Sequence, residues 1–339
     1  MIRPASRKER TGFTLVELLV VIAIVAVLAG LLTAAVQVVR KRAIDTQNAN
    51  DIMQMGAAME AFKQQYKCYP PSRVRLLESG AYDMSQTNGQ PNTPLDFESK
   101  NALTRIWPRL QFPIDWNNDG ATTGDWTLEG DQCLVFFLGG IPSASPPGVT
   151  GFATSPTNPA APVAQGGGRV QPFFAFSAAR LVILSHNGVT SPFYSYADVH
   201  ASVQTLSNVP TIPTINGKQA GQPFAYFATL KQPNQYNPYL SFPYAQNVSD
   251  CASIGAMPYF APFLNNVAQY QNSATYQIIS AGADQTFGST VTNGGVIFNS
   301  SGNAGTFNLT NGSPPPQPFA GMDDRTNFSP NILAAGGNQ

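Results

Sequence analysis

The sequence predicts an α+β protein: a long N-terminal helix, hydrophobic and then amphipathic, packed on an antiparallel β-sheet head with large loop insertions. Three observations predict it. Between Phe13 and Val39 the only ionisable side chain is Glu17, so an apolar run of membrane-spanning length lies near the N-terminus. Beyond it, Ile52, Met55, Met59, Phe62 and Tyr66 recur at intervals of three and four, the stripe of an amphipathic helix. The remainder alternates short β-branched or aromatic segments with Gly, Pro and Asn, the pattern of strands among loops.

Composition narrows the function. Of 339 residues only 11% are charged, against roughly 25% in an average soluble domain. Lys plus Arg and Asp plus Glu number 19 each, and nothing basic enough to serve nucleic acid as its main partner appears. The polarity comes instead from Asn, Gln, Ser and Thr, with 29 Gly and 28 Pro, which suits an extracytoplasmic chain with long loops.

The first element runs from Leu18 to about Val36. A secretory signal would have a shorter apolar core, and neither it nor a plain anchor accounts for Glu17, since a lone carboxylate at a bilayer centre costs about 2.5–3.5 kcal/mol. Cleavage between Gly12 and Phe13 accounts for it. The leader, residues 1–12, carries Arg3, Arg7, Lys8 and Arg10 against Glu9; removing it from totals of 19 and 19 leaves 15 basic and 18 acidic residues. The new α-amine on Phe13 is a cation one helical turn from Glu17, and a carboxylate is favoured near a helix N-terminus. In low dielectric it pairs with an amine, its own or a neighbour's, and so sets the register between like helices.

Gly12-Phe13-Thr14-Leu15-Val16-Glu17 followed by an apolar helix resembles the processing signature of type IV pilins and type II secretion pseudopilins. The resemblance implies cleavage after Gly12 and N-methylation of Phe13 by a prepilin peptidase, with Glu17 contacting the Phe13 amine of an adjacent subunit. It implies a homo-oligomeric helical filament with other pilin-like subunits, an inner-membrane assembly platform, and a single-pass protein of the bacterial inner membrane whose head lies in the periplasm. Arg40, Lys41 and Arg42 follow the apolar run, so this orientation rests on the resemblance and not on charge counting.

The next element is amphipathic. The stripe from Ile52 to Tyr66 faces a core, with Asp51, Glu60 and Lys63 off it, and Pro70-Pro71 stop the helix. The boundaries are thus 1–12 for the leader, 13–39 for the membrane or filament-core helix, 40–69 for the amphipathic helix and 70–339 for the head. In the head the strand candidates are Cys133–Leu138, Phe173–Phe176, Leu181–Ser185, Tyr276–Ser280 and Gly295–Phe298. The Pro-, Gly-, Ser- and Ala-rich tract 142–168 is expected to be an exposed or disordered insertion.

Two acidic loops are candidate calcium sites. Asp115, Asn117 and Asp119, followed by Gly120, alternate oxygen side chains as a Ca²⁺ loop does, but the twelfth position is Trp126 where an EF-hand loop has Glu. An ordinary Asx-turn is the competing reading. Near the C-terminus, Ser280-Ala281-Gly282-Ala283-Asp284 and the later Asp323-Asp324 resemble the calcium loop of major type II pseudopilins, which implies Asp284, Asp323 and Asp324 as ligands of a structural Ca²⁺. Cys68, Cys133 and Cys251 allow one disulfide of unknown pairing or three buried thiols. His186 and His200 lack any catalytic motif, and on a strand end the side chains of Ser185 and His186 point to opposite faces. The expected function is structural: a pseudopilin in type II export, with a pilus or DNA-uptake subunit second. An anchored binding module or hydrolase is the reading from another class.

Overall fold

A computed structural model describes residues 15–144, 147–162, 168–186, 188–199, 214–215, 218–219, 221–229, 236, 250–256, 258–264, 267–282, 285, 287, 296–298, 304–306 and 325–328. The chain divides into two compact units, Met1–Thr46 and Gln47–Gln339. The architecture is α+β: an N-terminal apolar helix, further helices and small, mostly antiparallel sheets. That composition is consistent with a pilin-like fold.

Helix α1 spans Leu15–Tyr66. In the N-terminal unit its side chains from Leu15 to Thr33 are all exposed, and this stretch is long and apolar enough to cross a membrane. Within the second unit Ile52, Met55, Met59 and Phe62 are buried, as the three-and-four spacing requires. Gly56 lets the tyrosine ring of a core strand approach: Tyr276 Oη donates to its carbonyl at 3.3 Å. Asn48 Nδ2 donates to Ser280 Oγ at 2.7 Å, and Arg180 pairs with Asp51 at 2.5 Å.

That core strand, Tyr276–Ser280, is buried throughout and lies between Ala225–Ala228 and Arg325–Thr326, antiparallel to both, with Tyr226 opposite Ile278 and Ser280 opposite Arg325. Val74–Leu77 pairs with Asp125–Leu128, and helix α2, Pro94–Ile106, starts with Pro at its first turn. A further sheet contains one parallel pairing, Tyr259 opposite Val296.

Three strand expectations need correction. Cys133–Leu138 belongs to helix α3, Gly130–Gly139, in which every residue is buried. A solid apolar run shows neither period, and here Glu129 as N-cap and Gly140 at φ 98° as C-cap delimit a helix. Phe173–Phe176 is irregular: the N–H groups of Phe173 and Phe174 both bond to the carbonyl of Leu138. Leu181–Ser185 is split, with Leu181–Val182 pairing Ser195–Tyr196 and Ser185–His186 pairing Val189–Thr190. Strands Tyr276–Ser280 and Val296–Phe298 stand where they were expected.

The tract 142–168 also departs from expectation. Pro142–Ala144 and Pro147–Val149 form a hairpin, and Phe152 and Ala160 are core residues with 3% and 2% of their surface exposed. Its root crosses α3 at two glycines. A Cβ on Gly140 would lie 2.3 Å from the Gly151 backbone, and one on Gly151 1.9 Å from the Val170 carbonyl oxygen, so neither position admits a side chain.

The core is aromatic. Trp107 stands at its centre, its ring 4.9 Å from Phe152, 5.8 Å from Trp116, 6.1 Å from Tyr66 and 6.4 Å from Phe137. Such edge-on, tilted and stacked pairs add roughly 0.5–1.5 kcal/mol each beyond area burial.

Candidate functional site

Two places concentrate chemistry, one in each unit. In the N-terminal unit Glu17 lies in the first turn of α1, where main-chain N–H groups lack intrahelical acceptors and the helix dipole favours a carboxylate. It is the one acidic side chain among the apolar ones that follow: Leu18, Leu19, Val20, Val21, Ile22, Ile24 and Val25 are all about half exposed or more. Gly12 and Phe13 lie outside the described residues.

In the head, α3 begins with two buried carboxylates. Glu129 Oε2 and Oε1 accept from the N–H and Oγ of Ser253 at 2.9 and 3.0 Å. Asp131 faces His186, whose Nε2 lies 2.9 and 3.1 Å from its two oxygens, and Ser195 Oγ donates to Asp131 Oδ2 at 2.6 Å. His186 Nδ1 lies 3.3 Å from the carbonyl oxygen of Leu184. Burial alone would lower the His186 pKa, but the Asp131 charge, with Glu129 behind it, outweighs burial and the pKa rises. Burial likewise raises the pKa of Glu129, against the Ser253 hydrogen bonds that lower it.

Serine, aspartate and histidine meet here in an order unlike that of a hydrolytic triad. In a triad the serine hydroxyl bonds the imidazole and the aspartate orients the far ring nitrogen. In this head both Ser195 and the imidazole bond the carboxylate, so the serine hydroxyl is directed at Asp131 and not at His186. Ser185 is exposed while His186 is buried, as opposite faces of a strand require. His200 lies outside the described residues.

The loop at Asp115 folds as an Asx-rich turn. Asp115 Oδ1 and Oδ2 accept from the N–H of Asp119 and Gly120, Asn117 Oδ1 from Asp119 N–H, and Asp119 Oδ1 from Ala121 N–H, at 2.7–3.1 Å. Glu78 closes it from below, accepting from Trp116 and Gly124 N–H at 2.8 Å; burial pushes its pKa up, and Asp115 and Asp119 push the same way.

Asp284, Asp323 and Asp324 lie outside the described residues, but their flanks are neighbours, because Ser280 stands opposite Arg325. Asn327 holds this edge, accepting from Ile278 N–H and donating to the Tyr276 carbonyl. Beside it runs a buried network that sequence reading missed: Ser280 Oγ donates to Asp198 Oδ2 at 3.0 Å, and Gln285 Nε2 contacts both Asp198 oxygens at 3.3 Å.

Cys68, Cys133 and Cys251 form no disulfide with one another in this structure, Cys68 being half-buried and the other two buried. Cys133 Sγ points at the Leu128 carbonyl and Cys251 Sγ at the Tyr226 carbonyl, 3.7 and 3.4 Å away. Burial raises the pKa of all three, so none has the character of a nucleophilic thiolate.

Residues 7–33 match the sequence family described as the prokaryotic N-terminal methylation motif. Together with the apolar helix it contains, this segment fits a type IV pilin-like prepilin signal, and among the described residues one helix is long and apolar enough to anchor the chain in a membrane. No curated protein and no solved structure gives a significant match.

Proposed function

We propose that this chain is a structural subunit of a pilin-like filament, trimmed after Gly12 and methylated on Phe13 by a prepilin peptidase, and that it serves type II protein export as a pseudopilin. The observation that carries the reading is the apolar face of α1 from Leu15 to Thr33. It is wholly exposed within its own unit, lies inside the matched methylation motif, and is interrupted only by Glu17. Such a surface needs either lipid or the same helix of other copies, and the two succeed one another when a subunit leaves the inner membrane for a filament. Glu17 then pairs with the Phe13 amine of a neighbour. The head works in the periplasm by contact, without turnover.

The choice of export over a pilus rests on the C-terminal acidic residues. Pairing of Ser280 with Arg325 supports a calcium loop there, with Asp284, Asp323 and Asp324 as ligands, the ion fastening the end of the chain to the sheet. The loop at Asp115, Asn117 and Asp119 is the weaker calcium candidate. Adding Ca²⁺ to chelator-treated protein should raise its melting temperature, and a double change, Asp284→Asn with Asp324→Asn, should abolish the rise. No rise in the unaltered chain removes calcium from the account.

The deciding measurement is mass spectrometry of the mature N-terminus. Methyl-phenylalanine at residue 13 supports the filament reading, and any other N-terminus leaves a tethered head with a different purpose. Glu17→Ala should still insert and be trimmed but should form few or no filaments, scored by shearing and electron microscopy. Loss of exported proteins when the gene is deleted separates export from a pilus role, where surface fibres or DNA uptake would be lost instead.

A further inference from the structure

At the start of α3 the head brings together a mixed set of metal donors. Glu129, Asp131 and His186 each offer one ligand atom within 4.8 Å of the other two, and all three are buried. Among the described residues no other trio of His, Cys, Asp or Glu comes so close. We propose that these three side chains bind one divalent transition-type cation, Zn²⁺ being the ion that suits them best.

The imidazole is oriented as a ligand. Its Nδ1 is 3.3 Å from the Leu184 carbonyl oxygen, an acceptor for an Nδ1–H, and its Nε2 faces the carboxylates as the atom an ion would bind once it displaces the proton there. Metal-binding histidines are held in the same way, the far ring N–H given to a carbonyl so that ring angle and tautomer are fixed. The carboxylates are supported from behind, Asp131 by the Ser195 hydroxyl and Glu129 by Ser253. Each carboxylate oxygen has a second lone pair and can accept such a bond while binding a cation.

The spacing of His186 and Asp131 fits as well, with Glu129 within 4.8 Å of both. Zinc–ligand distances of about 2.0–2.2 Å put neighbouring ligands of a tetrahedron roughly 3.3 Å apart. The His186 Nε2 to Asp131 oxygen separations of 2.9 and 3.1 Å are within a few tenths of that edge. The ion takes the place of the Nε2 proton, which passes to solvent. One imidazole nitrogen with two carboxylates suits Zn²⁺ and its neighbours, whereas Ca²⁺ and Mg²⁺ prefer oxygen alone. His186 also lines a surface cleft together with Ser191, Trp126, Arg75 and Asp96. Bound there, the ion joins the start of α3 to the strand Ser185–His186, segments 55 residues apart in sequence.

The test uses the full chain in detergent, stripped with chelator and then titrated with ZnCl₂. Elemental analysis should find one tightly held equivalent per chain and the melting temperature should rise, with excess Ca²⁺ unable to displace the ion. His186→Gln and Glu129→Gln should each weaken zinc binding at least tenfold. Cobalt as a substitute gives a second reading that needs no variant: a visible spectrum from nitrogen and oxygen ligands, without a thiolate charge-transfer band. Failure of the unaltered chain to take up stoichiometric zinc overturns the site, as does a thiolate band, or zinc binding that both substitutions leave unchanged. All of these are read on isolated chains and stand apart from whether the protein forms filaments.

Discussion

Leu15–Thr33 of α1 and helix α3 are both dominated by Leu, Val and other apolar residues, yet none of the first stretch is buried and every residue of the second is. Helix α3 is enclosed by its own chain: Phe137 touches Phe62, Trp107 and Phe136. The N-terminal stretch has no such enclosure within its unit. Leaving large apolar side chains in water forgoes about 1.5–3 kcal/mol apiece. A run of them in water would exceed the roughly 5–15 kcal/mol by which a domain is stable, so something outside that unit must cover it. Each stretch also opens with a carboxylate, Glu17 or Asp131, at a helix N-terminus. The head answers its own from inside, with His186 and Ser195, whereas the answer proposed for Glu17 comes from another subunit.

The contrast can be broken at three points, taken in order of effect. Phe137→Ala removes a fully buried ring and should destabilise the head by about 3–5 kcal/mol in urea unfolding. A loss below 1 kcal/mol would mean that α3 is not enclosed as described. Next comes Asp250. Burial pushes its carboxyl up to about 6, although the Ser72 hydroxyl and the Arg73 charge pull the other way. Between the ordinary carboxylate pKa of 3.8 and about 6 the folded state holds more protons than the unfolded one. Stability therefore falls as pH rises through that window, and the ionised form is a burden above it. Asp250→Asn should stabilise the head by of order 2–3 kcal/mol at pH 7.5, and the gain should fade near pH 4. A variant that keeps the parent's slope would place the titration elsewhere. Smallest is Leu28→Ala, which should leave head unfolding within about 0.5 kcal/mol of the parent, since Leu28 is exposed within its own unit. A larger shift would mean that the two units share stability.

The same contrast explains what was legible beforehand. The stripe Ile52, Met55, Met59, Phe62 was readable because polar residues between its members reveal the period. Tyr276–Ser280 was readable from its aromatic and β-branched residues between breakers. Cys133–Leu138 was not, because six apolar residues in succession have no phase, and only the caps on either side decide. Nor did composition reveal that Phe152 and Ala160 anchor a Pro- and Gly-rich tract, since two apolar residues among many small ones suffice for burial. The cluster at Asp131 escaped for a different reason, its members being neighbours only after folding. One hint existed: Glu129 and Asp131, two acids directly before an apolar run, had to be satisfied by something distant.

The crowding of rings around Trp107 has a practical consequence. All three tryptophans and all twelve tyrosines of the chain come after residue 46, and Trp107 and Trp116 lie 5.8 Å apart in a dry interior. Tryptophan and tyrosine emission and dichroism therefore arise from the head, while Leu15–Thr33, without any aromatic residue, is optically silent. Unfolding of the head can be followed by light in vesicles or assembled fibres, without a dye and without removing the anchor.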